Sequence, residues 1–230
     1  MIMQGGALHE FLRPTTYVDS DADNVVAFAD RVIDGLADPV TRAVALYYAV
    51  RDEITYTAYC DFKSVETYRA SGCLARGAGF CVGKAALLAA TARAADIPAR
   101  VGFADVRNHL TSTRPRRLMT TDVFYYHGYA ELYLDGAWVK ATAVFDKTLC
   151  ERVGIRPLEF DGRHDALFHP FDASGRQYME YVRDRGASAD VPVAAIIEAF
   201  ERYYPGLIAV GAAGPVDRFR NEAERVPEAP

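Results

Sequence analysis

Gly77-Ala78-Gly79-Phe80-Cys81-Val82-Gly83-Lys84, running on into Ala85-Ala86-Leu87-Leu88-Ala89-Ala90, sets three glycines around one cysteine and opens a nearly all-apolar segment. The segment reads as a helix beginning at Cys81 and ending near Ala95. Only Lys84, Thr91 and Arg93 interrupt its apolar surface, so it is expected to be buried almost all round. Asp96-Ile97-Pro98 stops it, because the residue before proline avoids helical angles. A thiol at a helix N-terminus meets unpaired backbone N–H groups and the positive end of the macrodipole. Both favour thiolate, so Cys81 is expected to be an activated nucleophile with a depressed pKa. The competing reading is a small core residue, a common fate of free cysteine.

Outward from this helix, Ala99 to Val106 reads as a strand. Val123 to Val144 reads as a hairpin about Asp135-Gly136, a dipeptide suited to a type I′ turn. A two-residue turn sets Leu134 opposite Ala137, Tyr133 opposite Trp138, and Glu131 opposite Lys140. The last two are stabilising cross-strand pairs. His127 then faces Val144, with Thr142 and Asp146 as its diagonal neighbours. Alternation adds Tyr125, Tyr129 and Glu131 to its face. Upstream, helices are expected over 21–36 and from Asp38-Pro39 onward, with Asp38 as N-cap. Ser64 caps a short helix, and a glycine-rich loop spans 72–79. Arg107 to Asp122 reads as a surface loop, basic at Arg107, Arg114, Arg116 and Arg117. Beyond Asp146 the pattern fades until a helix opened by Asp190-Val191-Pro192.

The composition is that of an ordinary globular protein: 230 residues, 50% hydrophobic and 25% charged, with a net charge of −5. That charge argues against nucleic-acid or anionic-membrane partners. No apolar run is long enough to span a bilayer. The N-terminal residues lack the basic and apolar regions of a signal peptide, so a cytoplasmic location is expected. Cys60, Cys73, Cys81 and Cys150 show no CxxC spacing, so neither a zinc site nor a disulfide framework is expected.

A cysteine nucleophile needs a base and a group that orients the base. His127 is the base expected, because a strand fixes an imidazole better than the loop around the rival His109 does. The register offers Asp146 as its acidic neighbour. His164, Asp165, His169 and Asp172 form a second cluster, with a spacing that argues against metal ligation.

Three segments carry a family resemblance: Gly79-Phe80-Cys81-Val82-Gly83-Lys84-Ala85-Ala86-Leu87-Leu88, Ala94-Ala95-Asp96-Ile97-Pro98-Ala99-Arg100-Val101, and His127 through Asp135-Gly136-Ala137-Trp138-Val139. In this order and separation they resemble the transglutaminase-like superfamily of papain-fold cysteine enzymes, over residues 40–146. The resemblance implies an α+β fold with a papain-like, transglutaminase-like core, in which a buried helix with its cysteine at the N-terminus packs on an antiparallel sheet. It implies Cys81 as nucleophile and His127 as general base and acid. The family's third residue, an aspartate, aligns with Thr142, and Asp146 is the residue expected to replace it. The implied reaction is acyl transfer or hydrolysis of an amide or ester through a thioester, with a peptide, protein or small acyl substrate and no cofactor or metal. The alternatives are a degenerate binding module on the same fold, or a biosynthetic enzyme acting on a small or carrier-tethered acyl substrate. Tyr56 and Tyr68 are candidates for a second oxyanion donor. The expected organisation is a helical lead-in over 1–37, the catalytic core over 38–160, an extension packed on it over 161–213, and a flexible tail over 214–230, all in one domain.

Overall fold

The computed structural model describes residues 8–109, 118–168, 178–210 and 218–222. Two helices open the fold, α1 (Asp23–Ile33) and α2 (Pro39–Glu53). α2 is capped as expected: Asp38 Oδ2 accepts from the Thr41 N–H at 2.8 Å, and Pro39 takes the first helical position. There its missing N–H costs nothing. Next come β1 (Thr55–Tyr56), a 3-10 turn at Val65–Thr67, α3 (Ala70–Arg76) and β2 (Ala78–Gly79). The loop expected over 72–79 is therefore mostly regular structure. Gly77 (φ +63°) ends α3 in the left-handed conformation, a glycine role that a glycine-rich stretch does not by itself distinguish from a loop. β2 runs parallel to β1, with Tyr56 beside Gly79, so Tyr56 lies along the entry to the next helix.

That helix, α4 (Cys81–Ala94), is buried throughout residues 82–93. Its polar side chains tolerate burial because each reaches backbone carbonyls. Lys84 Nζ donates to Arg51 O at 2.9 Å and Ile54 O at 2.6 Å, at the C-terminal end of α2. Thr91 bonds Leu87 O, and Arg93 ties together the carbonyls of Ala99, Arg13 and Ala189. α1, α2, α3 and the sheet surround it. Leu46, Tyr47, Leu87, Leu88, Leu132 and Ile196 form the fully buried centre.

The sheet is antiparallel, in the order β5–β4–β3–β6, from β3 (Ala99–Asn108), β4 (Val123–Leu134), β5 (Ala137–Ala141) and β6 (Met179–Ser188). The hairpin register is the one expected from the turn, with Leu134 opposite Ala137, Tyr133 opposite Trp138 and Glu131 opposite Lys140. Asp135 (φ +49°) and Gly136 (φ +88°) both adopt positive φ, as a type I′ turn requires. The Tyr133 and Trp138 rings meet edge-on at 5.4 Å. The Glu131–Lys140 charge pair does not form. Glu131 Oε2 instead binds Arg100, its partner on β3, at 2.6 Å, and Lys140 turns to Asp184 at 3.9 Å. A buried carboxylate favours the guanidinium, which presents more donors than an ammonium.

β6 was not expected. It is an edge strand, exposed along much of its length and rich in charge, which hides the alternation that marks a half-buried strand. Downstream helices are α5 (Lys147–Val153), α6 (Val193–Tyr203), α7 (Pro205–Val210) and α8 (Arg218–Glu222). α6 follows Asp190-Val191-Pro192 as expected. Among the described residues no helix is long and apolar enough to cross a membrane, and all four cysteines are free.

Candidate active site

Cys81 is the first residue of α4 and follows Phe80 in extended conformation. Its side chain is half-buried. The backbone N–H groups of Gly128, Val82 and Cys81 itself face the sulfur. Gly128 approaches so closely that a Cβ there would lie 2.9 Å from Val82 Cα. Only glycine permits this approach, and it sets the neighbour of His127 against the helix tip. The segments that carry the cysteine and the histidine, 46 positions apart in the chain, thus come together where β4 crosses the start of α4.

His127 sits at an irregularity. β3 pairs with β4 at Ala104–His127 and again at Val106–Phe124, so β4 carries one extra residue between them. Tyr126 takes up the bulge with φ +54°, a conformation that costs a non-glycine residue roughly 1–2 kcal/mol. Asp105 holds it there. The carboxylate is buried, accepts from the Tyr126 N–H at 3.2 Å, and is gripped by Arg185 through Nε at 2.5 Å and Nη2 at 2.9 Å. The Arg185 guanidinium also covers the Tyr126 ring at 4.0 Å. Bulges beside active sites re-aim side chains, and this one breaks the expected alternation. Tyr125 stacks on Tyr203 at 4.0 Å and packs in the main core, whereas Tyr129 belongs to the smaller apolar cluster around Phe168. Sequence reading missed Asp105 and Arg185. The one visible signal was a carboxylate inside the apolar run Ala99–Val106.

Burial governs protonation here. It pushes the Cys81 thiol up to about 11, against the backbone N–H groups that favour thiolate. It pulls the His127 imidazole down to about 3, and burial is its sole cause. The expectation of a depressed thiol pKa is therefore corrected. At neutral pH the resting pair is thiol and neutral imidazole, because desolvation outweighs the helix tip.

The expected third residue, Asp146, has other partners. It N-caps α5 by accepting from the Leu149 N–H at 2.9 Å, and its second oxygen accepts from the Tyr56 N–H at 3.0 Å. Its charge also favours the buried Lys84 ammonium. Among the described residues no carboxylate contributes to the imidazole's shift, and His127 Nε2 has no hydrogen-bond partner. The Thr142 hydroxyl is likewise buried and makes no close hydrogen bond among them, but it faces the Tyr181 phenol, whose pKa it lowers against the larger effect of burial. Carrying the β4–β5 pairing beyond Ala130–Ala141 makes Thr142 the diagonal neighbour of His127.

Of the tyrosine candidates, Tyr68 is in the core and donates to Phe62 O at 2.8 Å. Tyr56 pairs with Gly79, two residues before the nucleophile. Its hydroxyl is pushed well above its ordinary pKa, first by burial and then by the Cys81 sulfur. His109 joins Glu180 at 3.1 Å, near Arg107, and His164 pairs with Asp161 at 2.7 Å on the surface. His169, Asp172, Arg114, Arg116 and Arg117 lie outside the described residues.

The model of the transglutaminase-like superfamily matches residues 26–143, just over half of the chain. The chain belongs to that superfamily. Among solved structures, a "putative cysteine protease" from Cytophaga hutchinsonii superposes with a TM-score of 0.52 at 19% identity, covering 83% of this chain and 50% of its own. The chain thus spans half the length of that neighbour, and the likeness is one of fold. A "putative protease" from Parabacteroides distasonis matches with a TM-score of 0.37 at 15% identity, over 60% of this chain and 25% of its own. No curated protein matches. Family and neighbour agree with the α+β, papain-like core expected from the sequence and with a cysteine-enzyme type of site.

Proposed function

We propose that this superfamily member catalyses acyl transfer or hydrolysis at an amide or ester, through a thioester on Cys81. The observation that carries the reading is the contact between the helix tip and Gly128, which sets the sulfur one residue from His127. Because the resting pair is neutral, the proton leaves sulfur as the new bond forms. The sulfur bonds to the carbonyl carbon while His127 Nδ1 takes its proton. The bond to the leaving amine or alcohol then breaks, and the imidazolium returns that proton to the leaving group. Water or an acceptor amine resolves the thioester by the reverse sequence. The Cys81 N–H is placed to receive the developing oxyanion, and the Tyr56 hydroxyl is the second donor. Nε2 and the Thr142 hydroxyl are not bonded at rest; their pairing in the substrate complex orients the imidazole, which suits a base that stays neutral at rest. Asp146 holds Tyr56 in place. The substrate class is a peptide or protein, in keeping with the protease description of the structural neighbour.

Incubation with an activated ester tests the reading. A mass increment on the Cys81 peptide is expected, with none in Cys81→Ala at unchanged melting temperature. No adduct on Cys81 across pH 6–10 would refute it. The lack of a carboxylate partner for His127 among the described residues favours a second reading, a binding module on the same fold. That reading requires partner binding that survives Cys81→Ala and an absence of acyl-enzyme.

A further inference from the structure

Aromatic rings run without a gap from the imidazole to the C-terminal helix. His127 lies 4.9 Å from Phe168, Phe168 stacks on Phe145 at 5.2 Å, and Phe145 meets Tyr56 edge-on at 4.9 Å. Phe219 closes the series, edge-on to Tyr56 at 5.3 Å and to Tyr59 at 5.5 Å. These rings come from separate segments of the chain. Tyr56, Tyr59, Phe145 and Phe219 are all only partly buried, so they line a groove at the surface. Its inner end is Tyr56, the residue beside the Cys81 sulfur.

Phe219, Asn221 and Glu222 of α8 meet this groove as a bound peptide would. Two polar contacts accompany the Phe219 ring. Arg152 Nη2 donates to the main-chain carbonyl of Asn221 at 3.1 Å, and the Tyr59 hydroxyl donates to Glu222 Oε2 at 2.8 Å. The first reads backbone and is blind to sequence. The second reads a carboxylate three positions after the aromatic residue. Offset and edge-on ring contacts add attraction beyond burial, and a charge-assisted hydrogen bond is stronger than a neutral one.

We infer that Tyr56, Tyr59, Phe145 and Arg152 form a binding site for a peptide segment with an aromatic residue followed three positions later by an acidic one, and that Phe219-Arg220-Asn221-Glu222 occupies this site as an intramolecular competitor. The inference deepens the proposed acyl-transfer reading, and its claim that the bound peptide is substrate rests on that reading. A tethered segment acts at an effective concentration of about millimolar, so free peptide must displace it.

Two measurements on the full-length chain test this. In the first, a fluorescent pentapeptide Arg-Phe-Arg-Asn-Glu is titrated into Cys81→Ala/Phe219→Ala, where turnover plays no part. Saturable binding is expected, with about tenfold weaker affinity when the peptide phenylalanine is alanine. Tyr59→Phe is expected to weaken the parent peptide and leave the affinity of a peptide ending in glutamine unchanged. In the second, kinetics with peptide esters compare the natural chain with Phe219→Ala. A KM lower by about three- to tenfold for the aromatic substrate is expected, with kcat unchanged. Failure of the pentapeptide to bind, or equal binding of the alanine peptide, overturns the site. Binding without turnover of any peptide supports the site and overturns the acyl-transfer reading.

Discussion

The two ends of β4 follow different rules. From Ala130 to Leu134 the strand pairs residue for residue with β5, turns through Asp135-Gly136 with positive φ at both positions, and sets Tyr133 edge-on to Trp138. From Phe124 to Gly128 it carries an extra residue, holds Tyr126 at φ +54°, buries His127 with Nε2 unpaired, and presses Gly128 onto a helix tip. The first end minimises local free energy. The second holds strain and an unsatisfied buried atom, each costing roughly 1–3 kcal/mol. Such costs persist where surrounding structure over-determines them, and here Asp105, Arg185 and α4 do so. The difference locates function at the costly end.

The sharpest way to break the comparison is His127→Gln. The rate of acyl-enzyme formation on Cys81 is expected to fall by roughly 10²–10⁴-fold, the usual contribution of a positioned general base. Stability should change in the opposite direction at acid pH. The imidazole pKa is about 3 when folded and about 6.5 when unfolded. Between these values the unfolded chain binds a proton that the native state refuses. Stability therefore falls as pH drops below about 6.5 and keeps falling toward about 3. Urea unfolding from pH 7 to 4 should show a shallower loss in His127→Gln than in the natural chain. Equal slopes would mean that the imidazole is not desolvated.

Asp105→Asn probes the support rather than the imidazole. It keeps an acceptor for the Tyr126 N–H but removes the charge that holds Arg185. Acylation is expected to slow by about tenfold through misaimed His127, with its pH profile displaced. Adding Tyr126→Gly removes the cost of positive φ and should restore part of the rate. No recovery in the double variant would show that Asp105 stabilises the sheet without aiming the base.

Two further substitutions separate the candidates for orienting His127. Thr142→Val should cost several-fold in rate if its hydroxyl engages Nε2, with little loss of stability. Asp146→Asn should mainly lower the melting temperature by a few degrees, since it weakens a helix cap worth about 1 kcal/mol and the tie to Tyr56. A displaced pH–rate profile for Asp146→Asn alone would return the orienting role to Asp146. Thr142→Asp restores the residue type the superfamily resemblance implies, and a nearby carboxylate favours imidazolium. It should make acylation faster on the acid side of the profile.

What the sequence disclosed follows the same division. The Cys81 helix was legible because its start, its apolar surface and its proline stop are all local. The hairpin was legible because a two-residue turn fixes every pair beyond it. The bulge was not, since nothing in Tyr125-Tyr126-His127 says that one residue is extra until β3 is laid beside it. Counting along an ideal register sets Asp146 near His127, but it does not disclose that the carboxylate also caps a helix and accepts from the Tyr56 N–H. β6 and the groove under Phe219 depend on segments brought together only by the finished fold.

The regular end supplies the control. Glu131 is buried and bonded to Arg100 at 2.6 Å, and the guanidinium lies 4.2 Å over the Trp138 ring. Glu131→Gln keeps an acceptor but removes the charge. Arg100 retains its ring contact and some solvent, so the loss should be about 1–2 kcal/mol, less than for a fully buried pair. Denaturant midpoints should fall accordingly with m unchanged, while acylation of Cys81 proceeds at its natural rate. Should the rate fall with the stability, the two ends of β4 are mechanically coupled, and strain at Tyr126 is held by the whole strand rather than by Asp105 and Arg185.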